Sequence, residues 1–124
     1  MQHSKAVFVV DDDPSMLRGL NRLLRHYGFE TVPFETAMAL KAHGDFDRAF
    51  CIVLDINLGD CSGIEVRRQL AESGVDVPII YITGNDSDAT RSAAMASGCL
   101  AYLTKPFTAK ALMEPVERAA AGLT

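Results

Sequence analysis

The sequence predicts an α/β domain: a five-stranded parallel sheet with helices packed on both of its faces. Three observations predict it. Five short apolar runs rich in branched and aromatic residues recur along the 124 residues, and stretches with helical spacing lie between them. No repeat, low-complexity tract or Pro/Gly/Ser linker interrupts the alternation. Strands that alternate with helices need crossover connections, which are right-handed and cover both sides of a parallel sheet. The length suits one domain, 1–124, around a compact core.

The strands are AVFVV (6–10), FETVPF (29–34), FCIVL (50–54), PIIYIT (78–83) and LAYL (100–103). The first helix starts at Pro14, a residue suited to a first turn, carries Leu17, Leu20, Leu24 and Tyr27 at helical spacing, and stops at Gly28. The others span 35–43, 64–73, 86–97 and 108–121. Helix 86–97, DSDATRSAAMAS, has no large apolar residue but Met95, so little burial anchors it and it should be the most mobile helix. Pro115 deletes a backbone hydrogen bond inside the last helix and should bend it near residue 111, at a cost of roughly 3 kcal/mol.

Composition narrows the function. A net charge of -4 gives no concentrated basic face for nucleic acid. No apolar stretch approaches the ~20 residues of a membrane span, and the polar start MQHSK lacks the apolar segment of a signal peptide, so a cytoplasmic location is expected. Cys51, Cys61 and Cys99 are odd in number and contain no C-x-x-C pair, which points to reduced, mostly buried thiols, with no redox role expected for Cys61.

The acidic run DDDP after the first strand is the feature that points to chemistry. By itself it has a capping explanation: Asp13 caps the helix that Pro14 opens, and acids favour the positive end of a helix dipole. Asp55 changes the balance, because it directly follows the third strand and so reaches the same edge of the sheet as Asp11 and Asp12. In such sheets ligands bind beyond the carboxyl ends of the strands, where the strand order reverses. Carboxylates gathered there repel one another unless a cation or a proton neutralises them. Oxygen-only donors of high charge suit Mg2+ or Mn2+, and no His or Cys stands nearby to favour zinc.

The other strand ends supply the remaining parts of a phosphate site: Thr83 with a hydroxyl, Gly84 leaving room beside it, and Lys105 in YLTKPF. A carboxylate can form an aspartyl phosphate, and phosphoryl transfer depends on in-line positioning and charge neutralisation. On this reading Asp55 is the nucleophile and Asp11 and Asp12 hold the metal. Lys105 and Thr83 bind phosphate oxygens.

VVDDDP, IVLDINLGDCSG, IYITG and YLTKPF, in this order and spacing, resemble the receiver domain of bacterial two-component response regulators over the whole chain. The resemblance implies a flavodoxin-like, doubly wound (βα)5 fold with strand order 2-1-3-4-5, and Asp55 as acceptor of a phosphoryl group from a sensor histidine kinase or phosphotransfer protein. It further implies that the Asn57 backbone carbonyl is a fourth metal ligand, beside Asp11, Asp12 and Asp55. Lys105–Pro106 matches the cis-peptide position of the family. Tyr102 is either a static strand residue or the switch aromatic that turns into space left when Thr83 moves toward the phosphate. The output surface would then comprise the fourth helix, fifth strand and fifth helix, facing an output domain, a partner protein or a second copy in a phosphorylation-dependent dimer.

One departure stands out: Leu58-Gly59 replaces the usual Met-Pro, exchanging a rigid residue for a permissive one. An upstream partner would meet Met16, Gly19 and the Pro106–Phe107 turn, and Asn57 and Asn85 could orient water for dephosphorylation. The YITG turn resembles receivers joined to LuxR-type DNA-binding domains. Two other classes compete. A haloacid-dehalogenase-type phosphatase also uses Asp, Thr and Lys, but places its nucleophile in D-x-D after the first strand. A flavodoxin-like cofactor binder would find its flavin phosphate repelled by the acidic first loop.

Overall fold

The structure, a computed structural model, describes residues 5–122. Residues 1–4, on which the reading of the polar start rests, lie outside the described residues. The elements are β1 (Ala6–Val10), α1 (Pro14–His26), β2 (Thr31–Phe34), α2 (Ala37–His43), a 3-10 turn (Phe46–Arg48), β3 (Ala49–Asp55), α3 (Gly63–Glu72), β4 (Ile79–Thr83), α4 (Asp88–Ala96), β5 (Ala101–Thr104) and α5 (Ala109–Ala120). The sheet is wholly parallel with strand order β2-β1-β3-β4-β5, as the resemblance implied.

The unbroken apolar runs follow from burial on two faces. Along β1, Phe8 and Val10 point into one core layer with Leu40, Val66 and Ala94, while Val7 and Val9 point into the other with Leu17, Leu24, Leu112 and Val116. Period-2 geometry sends alternate side chains to opposite sides, so a strand covered twice must be apolar throughout. Among the described residues no helix is long and apolar enough to cross a membrane.

Element boundaries shift where side chains close the ends. β2 begins at Thr31 rather than 29, because Gly28 (φ 91°) and Phe29 finish α1: their N–H groups donate to Arg25 (2.9 Å) and Leu24 (3.0 Å) carbonyls. That is a left-handed glycine cap with its two bonds. Tyr27, expected on the buried stripe, is the capping residue and is 47% exposed. α4 starts only at Asp88, since Ser87 is its N-cap and accepts from the Thr90 N–H (3.1 Å). β3 runs one residue further than expected, as Asp55 pairs with Ile82 and belongs to the strand itself.

Two irregular features bear on the site. Ala94 is the one buried residue of α4, and Met95 is 54% exposed, so α4 is thinly anchored. α5 continues unbroken through Pro115, which is buried on its inner face. The three thiols are free: Cys51 is buried, whereas Cys61 and Cys99 are half-buried, so "mostly buried" holds fully for Cys51 alone.

Candidate functional site

The carboxyl ends of β1, β3, β4 and β5 form one rim, and the strand order reverses between β1 and β3. Asp11 follows β1 directly and is buried. Its N–H donates to the Phe34 carbonyl (3.1 Å), which ties it to the end of β2, and its Oδ1 accepts from the Asp13 N–H (2.9 Å). Asp12 is exposed on the same turn. Asp13 is the helix cap, accepting from the Ser15 N–H (3.0 Å). The capping account therefore applies to Asp13, and Asp11 and Asp12 remain for other work.

Asp55 closes β3 and is also buried. Carboxylate oxygens of Asp11, Asp12 and Asp55 lie within 4.8 Å of one another, although they come from two segments. Lys105, just after β5, sends its Nζ between two of them, 3.0 Å from Asp11 Oδ2 and 3.3 Å from Asp55 Oδ2. The second Asp55 oxygen accepts from the Asn57 N–H (3.0 Å). Lys105–Pro106 is cis.

Burial pushes the Asp55 carboxyl up to about 6, with the Asp11 charge adding to the rise and the Asn57 N–H and Lys105 opposing it. For Lys105 burial works against the ammonium, but Asp11 and Asp55 outweigh it and hold the group above the usual lysine value. The pocket thus contains more negative charge than its lysine can neutralise. A hard divalent cation fits this donor set, which is all oxygen and partly buried.

Thr83 ends β4, fully buried. Its hydroxyl donates to the Asn57 side-chain oxygen (2.7 Å) and accepts from the Asn85 N–H (3.0 Å). Both asparagines named from the sequence therefore touch Thr83. At Gly84 an added Cβ would sit 3.8 Å from Lys105 Cδ, ordinary contact, so the room expected there is available without being demanded. Tyr102 is half-buried on β5; its hydroxyl donates to Asp86 Oδ1 (2.7 Å), and Arg91 lies over its ring at 4.7 Å while binding Asp86 Oδ2 (3.1 Å).

Several residues here escaped the sequence reading. Gly63 packs against the main chain of the nucleophile candidate: a Cβ there would lie 2.4 Å from the Asp55 carbonyl oxygen. The second glycine of GDCSG was its only signal. Asp86 and Arg91, which hold Tyr102, sit in the charged stretch NDSDATR, whose partners no local pattern reveals. Asp60 reaches the start of α2, a contact across 22 and 23 residues.

With this geometry in place, comparison with known proteins is decisive: residues 7–117 match the response regulator receiver domain. The chain belongs to that family. The receiver is 38% identical over 110 residues to nodulation protein W of Bradyrhizobium diazoefficiens, covering 89% of this chain and 48% of that one. It is 31% identical over 113 residues to the transcriptional regulatory protein FixJ of Rhizobium meliloti, covering 91% and 55%. The crystal structure of FixJ-N superposes with a TM-score of 0.86 at 30% identity, over 100% of this chain and 98% of that one. The response regulator StyR gives 0.86 at 36% identity, over 94% and 59%. The chain spans about half the length of the curated relatives it matches first. A receiver is a phosphorylation-dependent signalling domain of two-component systems rather than a turnover enzyme, and nothing in these likenesses supports the haloacid dehalogenase alternative.

Proposed function

We propose that Asp55 is the phosphoacceptor of this receiver, taking the phosphoryl group of a phosphohistidine on a sensor histidine kinase or phosphotransfer protein. The observation that carries the reading is the Asp55 carboxylate itself: buried, central among acids from two segments, and held at one oxygen by the Asn57 N–H and at the other by Lys105. An Asp55 oxygen attacks phosphorus in line, the N–P bond to the donor imidazole breaks, and the imidazole leaves with a proton. Asp11, Asp12, Asp55 and the Asn57 carbonyl are the residues that would hold Mg2+ or Mn2+, and such an ion, when bound, neutralises the phosphoryl oxygens.

Lys105 moves from bridging two carboxylates to pairing with a phosphate oxygen. Thr83 gives up Asn57 and donates its hydroxyl to another oxygen, with the Gly84 backbone alongside. That removes a hydrogen bond of 2.7 Å and vacates space next to Tyr102. Tyr102 then leaves Asp86 and turns inward, which alters the α4-β5-α5 face, where thinly anchored α4 moves most readily. This face is read as the contact for an output domain, a partner protein or a phosphorylation-dependent dimer, without direct contact to nucleic acid or membrane. The upstream donor meets the rim at Met16, Gly19 and Pro106–Phe107, in the cytoplasm.

The test is incubation with acetyl phosphate and Mg2+ followed by intact mass. A single phosphoryl adduct on the wild type that is lost in Asp55→Asn is the expected result; an undiminished adduct on Asp55→Asn removes Asp55 from the role.

A further inference from the structure

The loop 56–62 carries Asn57, whose carbonyl is one of the proposed metal ligands, and Gly59, where an added Cβ would lie 3.5 Å from Asp12 Oδ2. Its root is closed: Asn57 and Ser62 form a bridge, and the Gly63 N–H donates to the Ile56 carbonyl (2.8 Å). Glycine at 59 leaves the outer part of the loop with more backbone freedom than a proline would. Yet the loop is held at its tip. Asp60 Oδ1 accepts from the Ala37 N–H (3.2 Å) and Oδ2 from the Met38 N–H (3.1 Å). These bonds hold the Asp60 carboxyl below its ordinary range, the Met38 N–H foremost.

The contact lands on a significant place. Asp11 is bound to the same stretch, its N–H donating to the Phe34 carbonyl (3.1 Å). The segment from Phe34 to Met38, the end of β2 and first turn of α2, is therefore a shared abutment: the loop after β1 rests on it through main chain, and the loop after β3 through the Asp60 side chain. α2 has its own N-cap, since Thr36 accepts from the Ala39 N–H (3.0 Å). Asp60 serves donors that Thr36 does not reach.

We propose that Asp60 is a positioning residue for the metal site: by strapping loop 56–62 to the β2–α2 turn, it fixes the Asn57 carbonyl relative to Asp11 and Asp12. The inference rests on the reading of Asp11, Asp12, Asp55 and Asn57 as metal ligands. It differs from simple helix capping in what it controls. Removal of the Thr36 cap loosens α2 and leaves the strap intact; removal of the Asp60 carboxylate frees the loop.

The experiment titrates Mg2+ into wild type, Asp60→Ala and Thr36→Ala, following backbone amide shifts, and measures amide hydrogen exchange in the metal-free proteins. Asp60→Ala is expected to weaken Mg2+ binding about tenfold, the low end of the effect of outer-shell partners on metal affinity. It should also speed exchange at 57–62 as well as at Ala37 and Met38. Thr36→Ala should speed exchange within α2 and leave Mg2+ affinity within about twofold of wild type. If Asp60→Ala does not fold, Asp60→Asn, with one acceptor oxygen remaining, should show a smaller loss in the same direction. Equal Mg2+ affinity in wild type and the Asp60 variant overturns the strap alone, as does an equal loss in Thr36→Ala. No Mg2+ uptake by the wild type overturns the metal reading and the strap with it.

Discussion

Replacing Gly63 by alanine adds one methyl group at the point where α3 begins beneath the nucleophile candidate. An ideal Cβ there lies 2.4 Å from the Asp55 carbonyl oxygen, 3.0 Å from Ile56 Cα and 3.1 Å from the Asp55 carbonyl carbon. All three are backbone atoms of the last residue of β3 and the residue after it, so no side chain can rotate away. Restoring ordinary carbon–oxygen contact requires a separation of about 0.8 Å or more, taken up by α3 or by Asp55. Alanine favours a helix by about 1 kcal/mol over glycine, and overpacking costs typically 1–3 kcal/mol and occasionally more. With backbone on both sides the upper part of that range applies, for a net loss of about 2 kcal/mol and a fall in Tm of roughly 6–10 °C.

Function should suffer more than stability. A misplacement near 1 Å can cost about 100-fold in a reaction that depends on alignment, and Asp55 is the group displaced. Thermal melts and the rate of adduct formation from acetyl phosphate read the two effects separately. Gly59→Ala is the control, since its Cβ would meet Asp12 Oδ2 at an ordinary 3.5 Å and little should change. A Gly63→Ala protein within about 2 °C of wild type and within about twofold in rate would refute the reasoning.

Other predictions follow from the electrostatics. Burial lifts the Asp55 carboxyl to about 6, above its unfolded value, so between about pH 4 and 6 the folded state keeps a proton that the unfolded state has released. Metal-free stability should therefore fall as pH rises through that window, by about 2–3 kcal/mol from this group, and Asp55→Asn should lack that fall; equal pH slopes in denaturant titrations with a chelator present would contradict it. Tyr102 is raised to about 12, first by burial and then by its bond to the Asp86 carboxylate. Asp86→Ala should lower it toward ~10, as seen by NMR titration of the ring, and an unmoved value would show that Asp86 does not restrain the tyrosine. Cys51, buried and pushed to about 12, should resist a thiol reagent at pH 8 that labels Cys61 and Cys99; prompt labelling of Cys51 in the native protein would refute its burial.

The parts of the protein legible in its sequence are those governed by local rules. β1, β3 and β4 read clearly because strands buried on both faces must be continuous apolar runs, and Asp11, Asp12, Thr83 and Lys105 read clearly because they sit at strand ends. The apolar run ends at Leu54 while the strand continues to Asp55, since pairing with Ile82 is a property of the neighbouring strand. Asp60, Gly63, Asp86 and Arg91 stayed hidden for a common reason: what each one touches is determined by how distant segments pack. The starts of β2 and α4 shift by two residues through local contacts, as Phe29 closes the end of α1 and Ser87 caps α4.

The single ammonium of Lys105 among three carboxylates leaves that corner two positive charges short of neutrality when all are ionised. By charge alone a divalent cation matches that deficit, where a monovalent ion would leave a residue of repulsion and a trivalent one would overshoot. On the proposed reading, phosphorylation of Asp55 to an acyl phosphate would reopen the deficit, because the adduct would bring more charge than the carboxylate it consumed. The domain would then hold an uncompensated load for rearranged donors to quench, and that imbalance would turn a covalent event into mechanical work on the surrounding chain.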